Sequence, residues 1–347
     1  MLASILNATT LKTLAIALAG AGMFRLTGLP LPFLFGPMAA CLAAALAGIR
    51  LRGTGQIGVG MRTILGLAVG AAITPALLAQ LPVMALTLLL VPVYVALIGL
   101  LGVPFFRRLW GFDRVTSYYA AMPGGLQDMV IFGIEAGGDG RALSLIHATR
   151  VLIIVTLAPV LLAATQGITL DAPIGAPARD LPPVEMLILV VAALVGWKGG
   201  ERIGLFGASI LGPMIVAAAL SLTDVLHTRP PAEAINVAQV FIGMTIGVYF
   251  SGITWRELGR DVTAGAVFAV ILAALAAGFM ALATTWGGAP GVEAFLAFAP
   301  GGQAEMAVLA IVIGADLGFV VLHHVARIVL VITGAPIVAR LVLRRTE

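Results

Sequence analysis

The sequence predicts an all-α polytopic membrane protein made of two tandem homologous repeats inserted in opposite senses. It has about ten crossings plus two broken or re-entrant Pro-Gly-Gly segments. Three observations carry that expectation. Of 347 residues, 61% are hydrophobic and 10% charged, whereas a soluble domain carries about 25% charge; this chain cannot cover itself for water. Apolar runs of roughly 20 residues, each long enough to cross a bilayer as a helix, recur from Leu11 to Leu343. A set of chemically distinctive residues also occurs twice. Pro123, Asp128, Asp139, His147 and Arg150 reappear as Pro300, Glu305, Asp316, His324 and Arg327, every pair 177 positions apart.

In chain order, the apolar runs place six segments in residues 1–165, at 12–28, 31–48, 56–79, 82–106, 115–137 and 142–164. Residues 166–183, rich in Pro, Gly and Ala, read as a linker. Residues 184–347 repeat the order at 184–198, 203–222, 233–252, 261–285, 292–314 and 318–341. The first segment, with Lys12 ahead of an Ala/Leu run, has the look of a signal peptide, but its counterpart near Glu185 to Trp197 assigns it to the fold. Leu34-Phe35-Gly36-Pro37-Met38 is answered by Ile210-Leu211-Gly212-Pro213-Met214. A Gly-Pro pair inside such a helix is either a kink and close-packing point or a wall of a solute cavity.

Basic residues set the expected orientation. With the N-terminus cytoplasmic and the fifth segment of each half re-entrant, Arg50, Arg52, Arg107, Arg108, Arg114, Lys198, Arg202, Arg256, Arg260, Arg344 and Arg345 all fall inside. Only Arg25, Arg179 and Arg229 fall clearly outside. Full spanning by the fifth segments would move Lys198, Arg202, Arg256 and Arg260 outside, so the positive-inside rule favours an odd number of crossings per half and hence inversion. The single cysteine, Cys41, excludes an intrachain disulfide and a Cys-based metal cluster.

The candidate chemistry sits at the breaks. Pro123-Gly124-Gly125 and Pro300-Gly301-Gly302 interrupt helix where backbone is tolerated only if buried in protein or lining a cavity. Gln127 with Asp128, and Gln303 with Glu305, follow at once. Such a carboxylate either carries a proton or Na⁺ within the membrane or caps a hairpin at its surface. Asp139 and Asp316 open the last helix of each half, a capping position. Arg150 lies about 16 Å along from Asp139 on the same face, with His147 one turn earlier; His324 and Arg327 repeat this, with His323 added. Each arginine either meets an anionic solute or locks Asp128 or Glu305 in an ion pair. Each histidine is either a proton relay or a neutral packing residue. No hydrolase, zincin, nucleotide or dinucleotide motif occurs, and the four histidines lack metal-ligand spacing. The expectation is a protein that is not an enzyme and has no metal, no cofactor and no nucleic-acid partner.

The doubled Pro-Gly-Gly-x-x-Asp/Glu-Met blocks, the His-x-x-Arg helices and the repeated Gly-Pro-Met run resemble the AbrB family of bacterial membrane proteins over nearly the whole chain. That resemblance implies a multi-pass inner-membrane protein of two membrane domains, with labels in the family that include regulation of gene expression and ammonia monooxygenase. More distantly, it is similar to inverted-repeat carriers whose penultimate helix in each repeat is broken. The function expected from the residues is secondary transport of a small solute, with an organic anion among the candidates. Asp128 and Glu305 would carry H⁺ or Na⁺, Gln127 and Gln303 would add polar contacts, and Arg150 and Arg327 would balance charge. The alternative is a non-transporting membrane sensor acting indirectly on gene expression. The lipid bilayer, the solute and the coupling ion are the expected partners, self-association stays open, and both termini are expected in the cytoplasm.

Overall fold

Helix is what these apolar runs must form, because only intrasegment hydrogen bonds satisfy the backbone in a hydrocarbon environment. The computed structural model describes residues 7–29, 31–79, 81–167, 175–205 and 207–343, without the side chains at 83, 127, 165, 166, 304 and 341–343. Among them every regular element is helical and none is a strand. In the first half the helices of eight or more residues are α1 (Ala8–Leu26), α2 (Pro32–Leu46), α3 (Gln56–Gly70), α4 (Leu81–Pro104), α5 (Arg114–Ala121), α6 (Leu126–Glu135) and α7 (Gly140–Gln166). In the second they are α8 (Pro183–Arg202), α9 (Ala208–Leu222), α10 (Ala232–Val248), α11 (Thr263–Gly287), α12 (Gly291–Phe298), α13 (Gln303–Ile313) and α14 (Leu317–Leu343).

Among the described residues five helices are long and apolar enough to cross a membrane: Met84–Leu109, Gly140–Ala164, Pro183–Arg202, Trp255–Gly287 and Leu317–Arg340. The apolar helices α2, α3, α9 and α10 are shorter; at 15 to 17 residues such a helix is about 22–26 Å long, less than a hydrocarbon core of about 30 Å. The expected fifth segments are each split. Helix α5 ends before Pro123 and α6 begins after Gly125; α12 ends before Pro300 and α13 begins after Gly302. Of the expected linker, residues 168–174 lie outside the described set, as do both termini with Arg344 and Arg345.

The chain divides into two compact units, each taking elements from both halves. The first comprises Met1–Gln80, Ile168–Ile253 and Ala307–Gly318, and the second Leu81–Gly167, Thr254–Met306 and Phe319–Glu347. The first unit is knitted by backbone contact at glycines. Gly20 of α1 meets Gly36 of α2, and Gly196 of α8 meets Gly212 of α9, so closely that a Cβ on any of the four would strike the opposing backbone. Gly66 of α3 likewise meets the Ile210 carbonyl of α9, and Gly243 of α10 the Leu34 carbonyl of α2. Small residues are what lets apolar helices approach in this way. The Gly36-Pro37 and Gly212-Pro213 pairs are therefore close-packing points.

In the second unit an aromatic cluster does the packing. Phe268 of α11 stacks on Phe105 (centroids 5.3 Å apart) and meets Phe106 edge-on at 4.8 Å, while Tyr94 of α4 packs on Phe279 at 4.9 Å and Phe298 at 5.4 Å. Gly265 of α11 lets that helix press on α7, where a Cβ would lie 2.9 Å from the Ile146 carbonyl oxygen. Arg141 at the start of α7 donates from Nε to Glu257 Oε1 at 2.7 Å.

Candidate functional site

Both breaks lie in the second unit and have the same local cause. A proline has no N–H and forces the preceding residue out of helical backbone. Met122 (φ −66°, ψ 130°) and Ala299 (φ −55°, ψ 130°) are both extended. The carbonyl four residues before each proline thereby loses its helical donor: Tyr119 in the first case, Leu296 in the second. His147 and His324 supply the replacement, with Nε2 at 3.1 Å from Tyr119 O and 2.8 Å from Leu296 O. A carbonyl only accepts, so each ring is protonated on Nε2.

The arginines one turn on hold the break itself. Arg150 donates from Nη1 to Met122 O at 3.2 Å and from Nη2 to Gly124 O at 3.0 Å. Arg327 does the same to Ala299 O at 2.9 Å and Gly301 O at 3.0 Å. Arg327 Nη2 also donates to His324 Nδ1 at 3.0 Å, which fixes that histidine as the neutral tautomer. The His-x-x-Arg spacing thus places two donors on one face of α7 and of α14, each pair clasping the carbonyls that its Pro-Gly-Gly frees. Met122 O and Ala299 O, at the C-caps of α5 and α12, belong to the negative ends of those helices, and a cation is favoured there.

The carboxylates serve the opposite end. Asp128 and Glu305 both sit in the first turn of the following half-helix, where negative charge is favoured. Each folds back over the glycine that starts it. A Cβ on Gly125 would strike Asp128 Oδ2, and one on Gly302 would strike Glu305 Oε2. The flexible ends of the Met129 and Met306 side chains lie in the space a Cβ on Gly124 or Gly301 would take. Gln303 opens α13 and is 9% exposed. Gln127 lies in α6, and its side chain is outside the described set.

Depth sets the electrostatics. His147, Arg150, His324 and Arg327 are all 3% exposed or less. Neither arginine is in a salt bridge among the described residues, with Asp128, Glu305 or any other carboxylate. Instead Arg150 lies in the electrostatic field of Arg327, Tyr94 and Glu305. Tyr94 in turn feels both guanidinium groups. Four buried polar atoms here have no hydrogen-bond partner among the described residues: Arg150 Nε, Arg327 Nε, His147 Nδ1 and the Tyr94 hydroxyl. Tyr94 was not legible as a site residue, since a lone phenol in the apolar run of α4 gives no periodic or motif signal.

Asp139 and Asp316 stand apart from this centre. Asp139 is exposed and N-caps α7, accepting from Arg141 N at 2.9 Å and Ala142 N at 3.1 Å. Asp316 is exposed and directly precedes α14. The sequence expectation that they open their helices agrees with this placement.

The geometry defines a class: a helical, membrane-type protein with two interrupted helices, each clasped at its break by arginine and histidine. The family model described as "Transition state regulatory protein AbrB" matches residues 33–343, and the chain belongs to the AbrB family. It is similar to "Uncharacterized protein YhjN" of Bacillus subtilis (strain 168), with 30% identity covering 93% of this chain and 90% of that relative. It is also similar to "Putative regulator AbrB" of Escherichia coli (strain K12), with 25% identity covering 92% of each chain.

Proposed function

We propose that this AbrB-family protein is an inner-membrane secondary transporter, not an enzyme, that moves a small anionic solute coupled to H⁺ or Na⁺. The observation that carries the reading is the pair of buried, clasped arginines. An unpaired buried charge costs several kcal/mol, and here two lie in each other's field with unused donors on Nε. The carbonyl dipoles of the breaks offset part of that cost, and a bound carboxylate or similar oxyanion would offset more. Asp128 and Glu305, half-buried at the amide side of the same breaks, are the groups to hold the coupling cation, with Gln303 and Gln127 adding polar contacts.

The same reading takes the halves as tandem repeats of opposite sense, with about ten crossings and cytoplasmic termini. Support comes from the matched order of helices and their lengths: 15 residues in both α2 and α9, 8 in both α5 and α12, and 27 in both α7 and α14. Broken helices whose ends face a solute are a recurring way to build such carriers.

A second reading, a sensor that binds the same solute without moving it, is favoured by one observation: the Escherichia coli relative is named as a regulator. Flux in proteoliposomes separates the two. Labelled small carboxylates should accumulate under an imposed H⁺ or Na⁺ gradient. Thermal stabilisation by those carboxylates with no flux under any gradient would establish the sensor instead.

A further inference from the structure

His323 is the one histidine of α14 that the clasp does not use, and its surroundings differ from those of the other two buried histidines. Its Nδ1 lies 2.8 Å from Phe319 O, so Nδ1 carries a proton. Its Nε2 lies 2.9 Å from the Thr87 hydroxyl of α4, and that hydroxyl lies 2.8 Å from Met84 O. The hydroxyl hydrogen has two places to go. Directed at Nε2, it completes a neutral imidazole. Directed at Met84 O, it leaves the oxygen lone pair to accept from an Nε2–H, which completes an imidazolium. Both states satisfy both ring nitrogens, and turning one hydroxyl converts one arrangement into the other.

The other histidines lack this property. His324 accepts from Arg327 on its free nitrogen, and a proton there would face a guanidinium N–H. His147 has no partner for Nδ1 among the described residues and feels the charge of Arg150. At His323, by contrast, the Phe319 ring stacks at 4.3 Å, and an aromatic face at such range attracts a cation; the Phe298 ring is tilted against it at 6.0 Å. The titratable or charged residues on the neighbouring elements are few. Helix α4 carries Tyr94, α12 carries Glu293, α11 carries none, and α14 itself carries His324, Arg327 and Arg340.

We propose that His323, with Thr87 as its switchable partner, is a proton-binding site that acts on the second break alone. Phe298, which touches His323, is the last residue of α12 before Ala299 and Pro300, and its other face packs on Tyr94. A charge on His323 therefore arises against the residue that leads into the break, one position before the His324–Arg327 clasp. The first half carries Ile146 at the position 177 earlier, so the site is one-sided. The inference adds a proton ligand to the transport reading and rests on that reading only for its consequence in flux.

The test is ring ¹⁵N NMR of histidine-labelled full-length protein in lipid nanodiscs, with the His323 signal assigned by its loss in His323→Gln. Between about pH 8 and about pH 4 the His323 ring should pass from one protonated nitrogen to two while His324 stays neutral. Thr87→Val removes the partner of Nε2, and at about pH 6 the doubly protonated population should fall about tenfold; Thr87→Ser should keep it. A His323 ring that stays singly protonated throughout in protein still folded by circular dichroism overturns the proposal. So does an unchanged titration in Thr87→Val. If flux is measurable, its dependence on pH should flatten in His323→Gln. A wild-type ring that titrates in protein that moves no solute removes the transport reading and leaves the proton site standing.

Discussion

Leu296 O depends on His324 because Pro300, four residues on, has no N–H to give. Replacing His324 with phenylalanine keeps the ring volume and strips two buried groups of their partners, the Leu296 carbonyl and one Nη2–H of Arg327. At about 1–3 kcal/mol for each of the two unsatisfied groups, the variant should be less stable by about 2–6 kcal/mol. The proline makes this a cycle rather than a single measurement. In Pro300→Ala the new amide can donate to Leu296 O and extend α12 by a residue, since the constraint on Ala299 is lifted as well. In that background His324→Phe should cost at least about 1 kcal/mol less, a coupling well above the scatter of independent sites. Equilibrium unfolding in mixed detergent–SDS micelles, followed by circular dichroism, gives the four free energies. Equal costs of His324→Phe in both backgrounds, within about 0.5 kcal/mol, would refute the claim that the histidine replaces the missing amide. The first half supplies a graded control. Tyr119 O also receives Met122 N at 3.3 Å, so His147→Phe should cost less than His324→Phe.

Other consequences can be measured on the same preparation. Gly302→Ala would push a methyl group into the Glu305 carboxylate, the flexible end of a side chain that can turn aside, and should destabilise by no more than about 1 kcal/mol in thermal melts, whereas Gly22→Ala, inside α1 with open space around it, should not destabilise. Gly196→Ala or Gly20→Ala forces apart the backbones of α8 and α9 or of α1 and α2, and should lower Tm by several degrees through the overpacking cost of about 1–3 kcal/mol. His227 lies between α9 and α10, 2.8 Å from Glu185 Oε1 and 3.3 Å from Asp224 Oδ1. Its hydrogen bond to Glu185, with the nearby charge of Asp224, raises its pKa above the ordinary value. A raised folded pKa means the pair stabilises fully below the unfolded value near ~6.5, and the contribution is lost as pH rises through the folded value. NMR titration should show the His227 midpoint falling towards ~6.5 in Glu185→Gln; an unmoved midpoint would contradict the assignment.

Much of the site was legible because its residues are chemically rare in an apolar chain. Two Pro-Gly-Gly breaks and two His-x-x-Arg helices at one offset mark the clasps, and the breaks fall where the sequence put them. Asp139 as a helix cap follows from purely local chemistry. What pairs with what was not legible. Arg150 was left between an anionic solute and an ion pair with Asp128, and its partners turned out to be backbone carbonyls, which the sequence hides because every residue has one. That each histidine answers a carbonyl orphaned by proline requires knowing that α7 and α14 lie against the breaks. Thr87 and His323 are 236 positions apart, and a single hydroxyl in a long apolar helix carries no pattern. The full-length apolar run at 56–79 also concealed the end of α3 at Gly70, after which the chain turns.

The account stands on the two breaks being the place where solute and coupling ion are handled, and one comparison tests this most directly. Gradient-driven uptake of a labelled carboxylate and its gradient-free exchange are measured in proteoliposomes for the native protein and for Asp128→Asn combined with Glu305→Gln. The account predicts that the double variant loses accumulation under the gradient while remaining folded and still binding the carboxylate at the arginines. Accumulation unchanged in the double variant would contradict it and place the coupling ion elsewhere in the protein.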